Sequence, residues 1–274
     1  MNSKYSEYLR EDIGSGDITS ELLVPAETKA RGKITAKERC ILAGAEEASN
    51  VFKELGATVA LHKKDGSALK PGDVVLTVSG PARALLAGER LALNFLMRMS
   101  GIATLTNDLL MRCRAVNPEI RIAATRKTTP GFREFEKRAV SIGGGDPHRF
   151  GLDDAILIKD NHIRLAGSVK EALRRARASS FTKKIEIEVE SEDDALAAVE
   201  GGADIIMLDN LAPEEAQALY ARIKSQRPNV MIETSGGIRP DNVEKYARGA
   251  DIISLGWITH SVKSVDFSMS IEPA

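Results

Sequence analysis

The sequence predicts an α/β protein whose two halves are built differently, and three observations predict it. Residues 20 to 80 read as short alternating strands around one helix, an α+β pattern. Beyond residue 119, apolar strand-like runs alternate with helical stretches, which argues for a parallel sheet, closed as a barrel or open. Those later runs end in polar or charged residues, as β/α barrel strands do at the face that carries their chemistry.

In chain order, ARGKITAKERCILAG and TVALHKKDGSALKPGDVVLTVSG supply the strands of the first half, with EEASNVFKELG as the helix and Pro71-Gly72 as a turn. Residues 81–115 form the longest helical stretch, apolar around much of its circumference, with Ser100 and Gly101 as the place where it could break. Arg90 stands among Leu86, Ala87, Leu91 and Ala92, so a buried guanidinium there needs a partner. The later strands are IRIAAT, AILI, KIEIEVE, DIIMLD, NVMIET and DIISLG. A faint repeat relates SEDDALAAVEGGADIIMLDN to PDNVEKYARGADIISLGW, each running from a helix through Gly into a strand.

Composition removes several function classes. A net charge of -1 over 274 residues gives no general attraction to nucleic acid or an anionic membrane, so any basic cluster acts locally. Cys40 and Cys113 form no metal or redox motif, and the polar N-terminus lacks the apolar centre of a signal peptide. A soluble, cytoplasmic protein is expected.

The strand ends carry the candidate site. Arg126, Lys127, His148, Arg149 and Lys159 concentrate positive charge, with Arg90 as an addition, which implies a polyanionic ligand. The plainer alternative is salt bridging to Asp153 and Asp154. Alternation in KIEIEVE puts Glu186, Glu188 and Glu190 on one face; Glu186 or Glu190 also suits a solvated edge, Glu188 less so. With Asp209 they can hold ribose hydroxyls or a hydrated Mg²⁺ already bound to phosphate. Gly236 and Gly237 after Ser235, followed by Gly256, suit a phosphate site on backbone amides.

Taken in order, EDIGSGDIT, AGERLALNFLMRMSGIAT, TRKTTPGFREFEKRAV, GGGDPHRFGLDDAILIKDNHI, IEIEVE, ADIIMLDN, ETSGGI and ISLGWITHSV resemble the quinolinate phosphoribosyltransferases, the decarboxylating enzymes that make nicotinate mononucleotide. The resemblance spans almost the whole chain, and TRKTTPG, HRFGL and LIKDNH are its most specific parts. It implies an N-terminal α/β sandwich domain over 1–104, completed by a C-terminal strand at 265–274, and an open, incomplete β/α barrel over 105–264. It implies a homodimer or homohexamer in which Arg90 reaches across the subunit boundary. Arg126, His148, Arg149 and Lys159, with Arg90, would hold the two carboxylates of quinolinate. Lys127 would meet phosphoribosyl pyrophosphate, Glu188 and Asp209 its ribose and Mg²⁺, and Ser235, Gly236, Gly237 and Gly256 its 5′-phosphate, with His260 nearby. Lys127, Lys159, Glu188 and Asp209 are the expected catalytic set. Pro147 stands where the family often has asparagine, and Arg138 where an aromatic is frequent.

Three rivals remain in view. Lys159 has the right placement for a Schiff-base nucleophile, although HR and TRK offer more anion binding than an aldolase needs. A related transferase acting on nicotinate or another ring would leave some of the cations unused. A phosphometabolite sensor would bind without turnover.

Overall fold

The computed structural model describes residues 4–274. Among them are ten strands of three residues or more. These are β1 (Lys29–Ala36), β2 (Thr58–Leu61), β3 (Val74–Pro81), β4 (Arg121–Ala123) and β5 (Ile156–Ile158). Then come β6 (Ile185–Val189), β7 (Ile205–Asp209), β8 (Met231–Ser235), β9 (Ile252–Ser254) and β10 (Phe267–Pro273). The chain divides into two compact units. One comprises the residues up to Leu105 with Ser141–Gly143 and Ser261–Ala274, and the other comprises Thr106–Val140 and Gly144–His260.

The first unit is built on an antiparallel sheet in the order β10-β1-β3-β2. Strand alternation decides its faces: Ala30, Gly32, Ile34 and Ala36 are buried while Lys29, Arg31 and Lys33 are exposed. The helix Ala45–Glu54 lays Ala48, Val51 and Phe52 into that core, each large side chain contributing roughly 1.5–3 kcal/mol by leaving water.

The long helix runs unbroken from Ala82 to Arg114, so the break expected at Ser100 and Gly101 is absent. Both residues serve packing instead. Ser100 Oγ donates to the Ala43 carbonyl at 3.1 Å and accepts from the Ala43 amide at 3.0 Å. At Gly101 the Lys263 carbonyl occupies the space a Cβ would need, so only glycine permits the approach.

All six apolar runs of the second half form strands, and they make one parallel sheet in the order β4-β9-β8-β7-β6-β5. Ile158, Ile187, Ile206, Leu208 and Ile232 pack beneath the helices Val169–Ser179, Glu192–Gly201 and Pro213–Gln226. The end strands β4 and β5 do not pair with each other, which leaves an open β/α barrel. Asp146 instead extends the free edge of β4 through an isolated parallel bridge to Ala123.

Cys40 and Cys113 are buried free thiols, and burial pushes both up to about 11, which suits packing rather than redox chemistry. No helix among the described residues is long and apolar enough to cross a membrane.

Candidate active site

At the carboxyl ends of the barrel strands lies a cavity of about 390 Å³, within the second unit. Parallel strands buried on both faces expose new side chains only where they end, so each polar residue after an apolar run is delivered there. Arg126 and Lys127 follow β4, His148 and Arg149 come from the next loop, and Lys159 follows β5. Glu188, Asp209 and Ser235 arrive on β6, β7 and β8. Eight of the expected site residues therefore share one hollow.

The others do not line it, although Gly256 packs against Lys127 and Thr125, which do. Gly236 and Gly237 have φ values of 80° and 63° that suit glycine. His260 is exposed at the end of the short helix Trp257–His260. Arg90 is exposed on the long helix in the first unit, so the expectation of a buried guanidinium is corrected: solvent satisfies it within this chain.

The cations are not absorbed by the acids of their own loop. Among the described residues neither Asp153 nor Asp154 pairs with any of the five cavity cations; Asp154 accepts instead from the Phe150 amide at 2.9 Å. Arg126 Nε is buried without an acceptor, a donor left open on the cavity side of the sheet. Arg149 is held below the ordinary guanidinium range, first by burial and then by the charge of Arg126, with Glu186 opposing. Lys159 is ion-paired to Glu188. Burial, and next the charge of Glu188, raises the carboxyl of Asp209.

The solvated edge that the sequence left open for Glu186 or Glu190 is taken by Glu190 alone. Glu186 is not a solvated edge residue; it is buried, and its Oε2 lies 3.3 Å from His148 Nε2. Glu190 falls beyond the strand end and is exposed. Two further residues were not foreseen. Glu233, on β8, is fully buried 3.6 Å from the same imidazole nitrogen. Lys137, in the helix Arg133–Ile142, is also fully buried, and its ammonium donates to the Pro147 carbonyl. The signals were present: a carboxylate inside the apolar run NVMIET, and a lysine next to Glu136 on the helix side that also buries Phe135 and Val140.

The loop between β4 and β5 is fixed from several sides. Glu136 accepts from the Thr129 amide at 3.0 Å and its hydroxyl at 2.9 Å, tying TRKTTPG to the following helix. Arg133 donates to the Phe150 carbonyl at 2.9 Å, and Asp146 accepts from the His148 amide at 2.7 Å. His148 is thereby held at φ 53°, a left-handed conformation that a non-glycine residue adopts only when its surroundings impose it.

Known proteins share this arrangement. The family model described as "Quinolinate phosphoribosyl transferase, N-terminal domain" matches residues 17–100, and that for the C-terminal domain matches 102–270. The chain belongs to the quinolinate phosphoribosyl transferase family. Within it, a probable nicotinate-nucleotide pyrophosphorylase [carboxylating] of Methanothermobacter thermautotrophicus is 50% identical, over 97% of this chain and 96% of that protein. The Homo sapiens nicotinate-nucleotide pyrophosphorylase [carboxylating] is 39% identical, over 96% of this chain and 89% of its own length. The crystal structure of NadC from Streptococcus pyogenes superposes with a TM-score of 0.91 at 41% identity, covering 98% of this chain and 95% of that one. The quinolinate phosphoribosyl transferase family thus accounts for both units and for the open barrel.

Proposed function

We propose that the cavity receives quinolinate and phosphoribosyl pyrophosphate together, and that the chain makes nicotinate mononucleotide, pyrophosphate and CO2 for NAD biosynthesis. The observation that carries this reading is the set of cations around one hollow, Arg126, His148, Arg149 and Lys159, of which Arg126 and Arg149 have no ion-pair partner among the described residues and Arg126 Nε is buried with no acceptor. Two ring carboxylates of quinolinate use that charge; a monocarboxylate such as nicotinate leaves part of it idle.

The pyridine nitrogen forms a bond to the anomeric carbon as the bond to pyrophosphate breaks, through a transition state with oxocarbenium character. Lys127 sits where it meets the departing phosphates. Its position is fixed by its amide donating to Thr125 Oγ1 at 3.0 Å and by Thr259 Oγ1 donating to its carbonyl at 2.8 Å. Glu188 and Asp209 face the ribose, where negative charge favours the developing cation. The new pyridinium then accepts the electron pair of the adjacent carbon–carboxylate bond, CO2 leaves, and the ring carbon takes a proton from solvent. No covalent nucleophile is needed, so Lys159 serves as a binding cation and not as a Schiff base.

Glu188 and Asp209 suit a Mg²⁺ already held by the diphosphate, because such an ion needs only one or two carboxylates, and Asp209 is raised first by burial and next by the charge of Glu188, a cost that a cation beside both would relieve. When bound, the ion would neutralise charge on the leaving group. Ser235, Gly236, Gly237 and Gly256 take the 5′-phosphate, with His260 near that end. Exposed Arg90 serves the active site of a neighbouring protomer in a homodimer or homohexamer. The enzyme works as a soluble cytoplasmic protein.

The decisive experiment incubates the protein with quinolinate, phosphoribosyl pyrophosphate and Mg²⁺ and follows CO2 and nicotinate mononucleotide. Both products are expected in equal amounts. Product from nicotinate but none from quinolinate would reassign the chain to a non-decarboxylating transferase.

A further inference from the structure

Glu233 is a carboxylate with both oxygens buried and neither hydrogen-bonded, in the middle of a parallel sheet. Such a group costs several kcal/mol unless a charge lies close by. Its ion-pair partner among the described residues is His148, whose Nε2 stands 3.6 Å from Glu233 and 3.3 Å from Glu186. Two strands therefore converge on one edge of the ring. The other ring nitrogen, Nδ1, pairs with no protein atom among the described residues, and His148 lines the cavity.

The loop reinforces this placement. The left-handed backbone of His148 is held by Asp146 on its own amide and by Lys137 on the preceding carbonyl, so the ring is directed onto the two carboxylates from a fixed origin. The ionisable groups around the ring are Glu186 on β6, Glu233 on β8, Arg126 after β4, and Asp146 and Arg149 on its own loop.

We propose that Glu233, seconded by Glu186, is a positioning residue that grips the His148 ring at Nε2 and keeps both ring nitrogens protonated. Nδ1–H is then left to donate to a carboxylate of the pyridine acceptor. The ligand half of this proposal rests on the function proposed above; the grip on the ring does not. The direction of the imidazole's own equilibrium agrees: burial pulls it down most strongly, yet the two carboxylates outweigh burial and push it up to about 10. A neutral histidine at this place would present its Nδ1 either as an acceptor or as an uncharged donor, and would bind a dicarboxylate less well. The two acids thus serve to make one cavity cation permanent across the physiological range.

The test uses the full protein labelled with ¹⁵N-histidine, whose four histidines give a simple spectrum. His148 is assigned by the signal lost in His148→Asn. In the free wild-type protein this signal is expected to stay at the imidazolium position through pH 8, and in Glu233→Gln its midpoint falls by about one unit or more. The same variant should raise the KM for quinolinate about tenfold at pH 8, with the KM for phosphoribosyl pyrophosphate unchanged within about twofold. The loss should be smaller at pH 6, where a weakened His148 still carries its proton. Wild-type His148 titrating near its ordinary 6.5 would overturn the proposal without any variant, and so would a Glu233→Gln protein with unchanged midpoint and quinolinate KM. A wild-type protein with a high His148 midpoint that makes no CO2 would defeat the assignment of the acceptor while leaving the grip on the ring standing.

Discussion

The two sheets of this protein treat charge in opposite ways. In the antiparallel sheet, strand β1 sends Lys29, Arg31 and Lys33 outward and buries Ala30, Ile34 and Ala36, so no charged side chain of its strands lies in the core. The parallel sheet buries Glu186 and Glu233 beside Thr234 and Ser254. A sheet wetted on one side disposes of charge by alternation, whereas one covered on both sides has no such outlet. Carboxylates kept there at the cost of desolvation mark the sheet whose interior has work beyond folding.

The largest test of that contrast removes one carboxylate at the end of the parallel sheet. Glu188→Gln breaks the ion pair with Lys159 and withdraws negative charge from the ribose side of the cavity. Turnover measured by CO2 release is expected to fall about 10²–10³-fold, the scale of losing one preorganised electrostatic contact. Thermal stability should hold or rise slightly. Activity within threefold of wild type would mean that the carboxylate is structural.

The complementary change lies in the other sheet. Ile34 is fully buried on β1, opposite Leu76 on β3 and Met269 on β10. Ile34→Ala should cost about 2–5 kcal/mol in urea unfolding through lost burial and the cavity left behind, with little change in the turnover of folded protein. A large fall in turnover at intact stability would show that the sheets do not divide their labour as described.

How far this division was readable from the sequence follows the same physics. The six parallel strands and eight cavity residues were legible because a covered strand shows polarity only where it ends, and chain order alone reveals that place. Glu233 and Lys137 were missed, because one lies inside an apolar run and the other among the mixed charges of FEKR, and neither setting shows the partner that makes it tolerable, His148 for Glu233 and the Pro147 carbonyl for Lys137. Glu186 was placed on the correct face, yet alternation does not say whether that face meets solvent or His148. Arg90 shows the converse: Leu86, one turn earlier on the same helix face, is itself exposed, so apolar neighbours along a helix do not settle whether a charge among them is buried.

The smallest expected effect separates two buried cations within the barrel unit itself. His148 and Lys137 belong to adjacent elements, but Glu186 and Glu233 close on the first at 3.3 and 3.6 Å, whereas burial decides the second. Its proton is held up to about 10 against an ordinary 6.5, whereas Lys137 is brought down from 10.5 to about 8, first by burial and then by Arg133. The consequences for stability have opposite sign. The stabilising contribution of His148 is fully present below about pH 6.5 and is lost as pH rises toward 10. That of Lys137 is present above about 10.5 and is lost as pH falls through about 8. Relative to His148→Asn, wild-type protein should therefore lose about 2 kcal/mol between roughly pH 6.5 and 8, read from urea midpoints. Relative to Lys137→Met it should gain a similar amount between roughly pH 8 and 9.5. Parallel slopes for the two variants would show that the carboxylates of the sheet do not reach the imidazole, and the buried acids would then need another explanation.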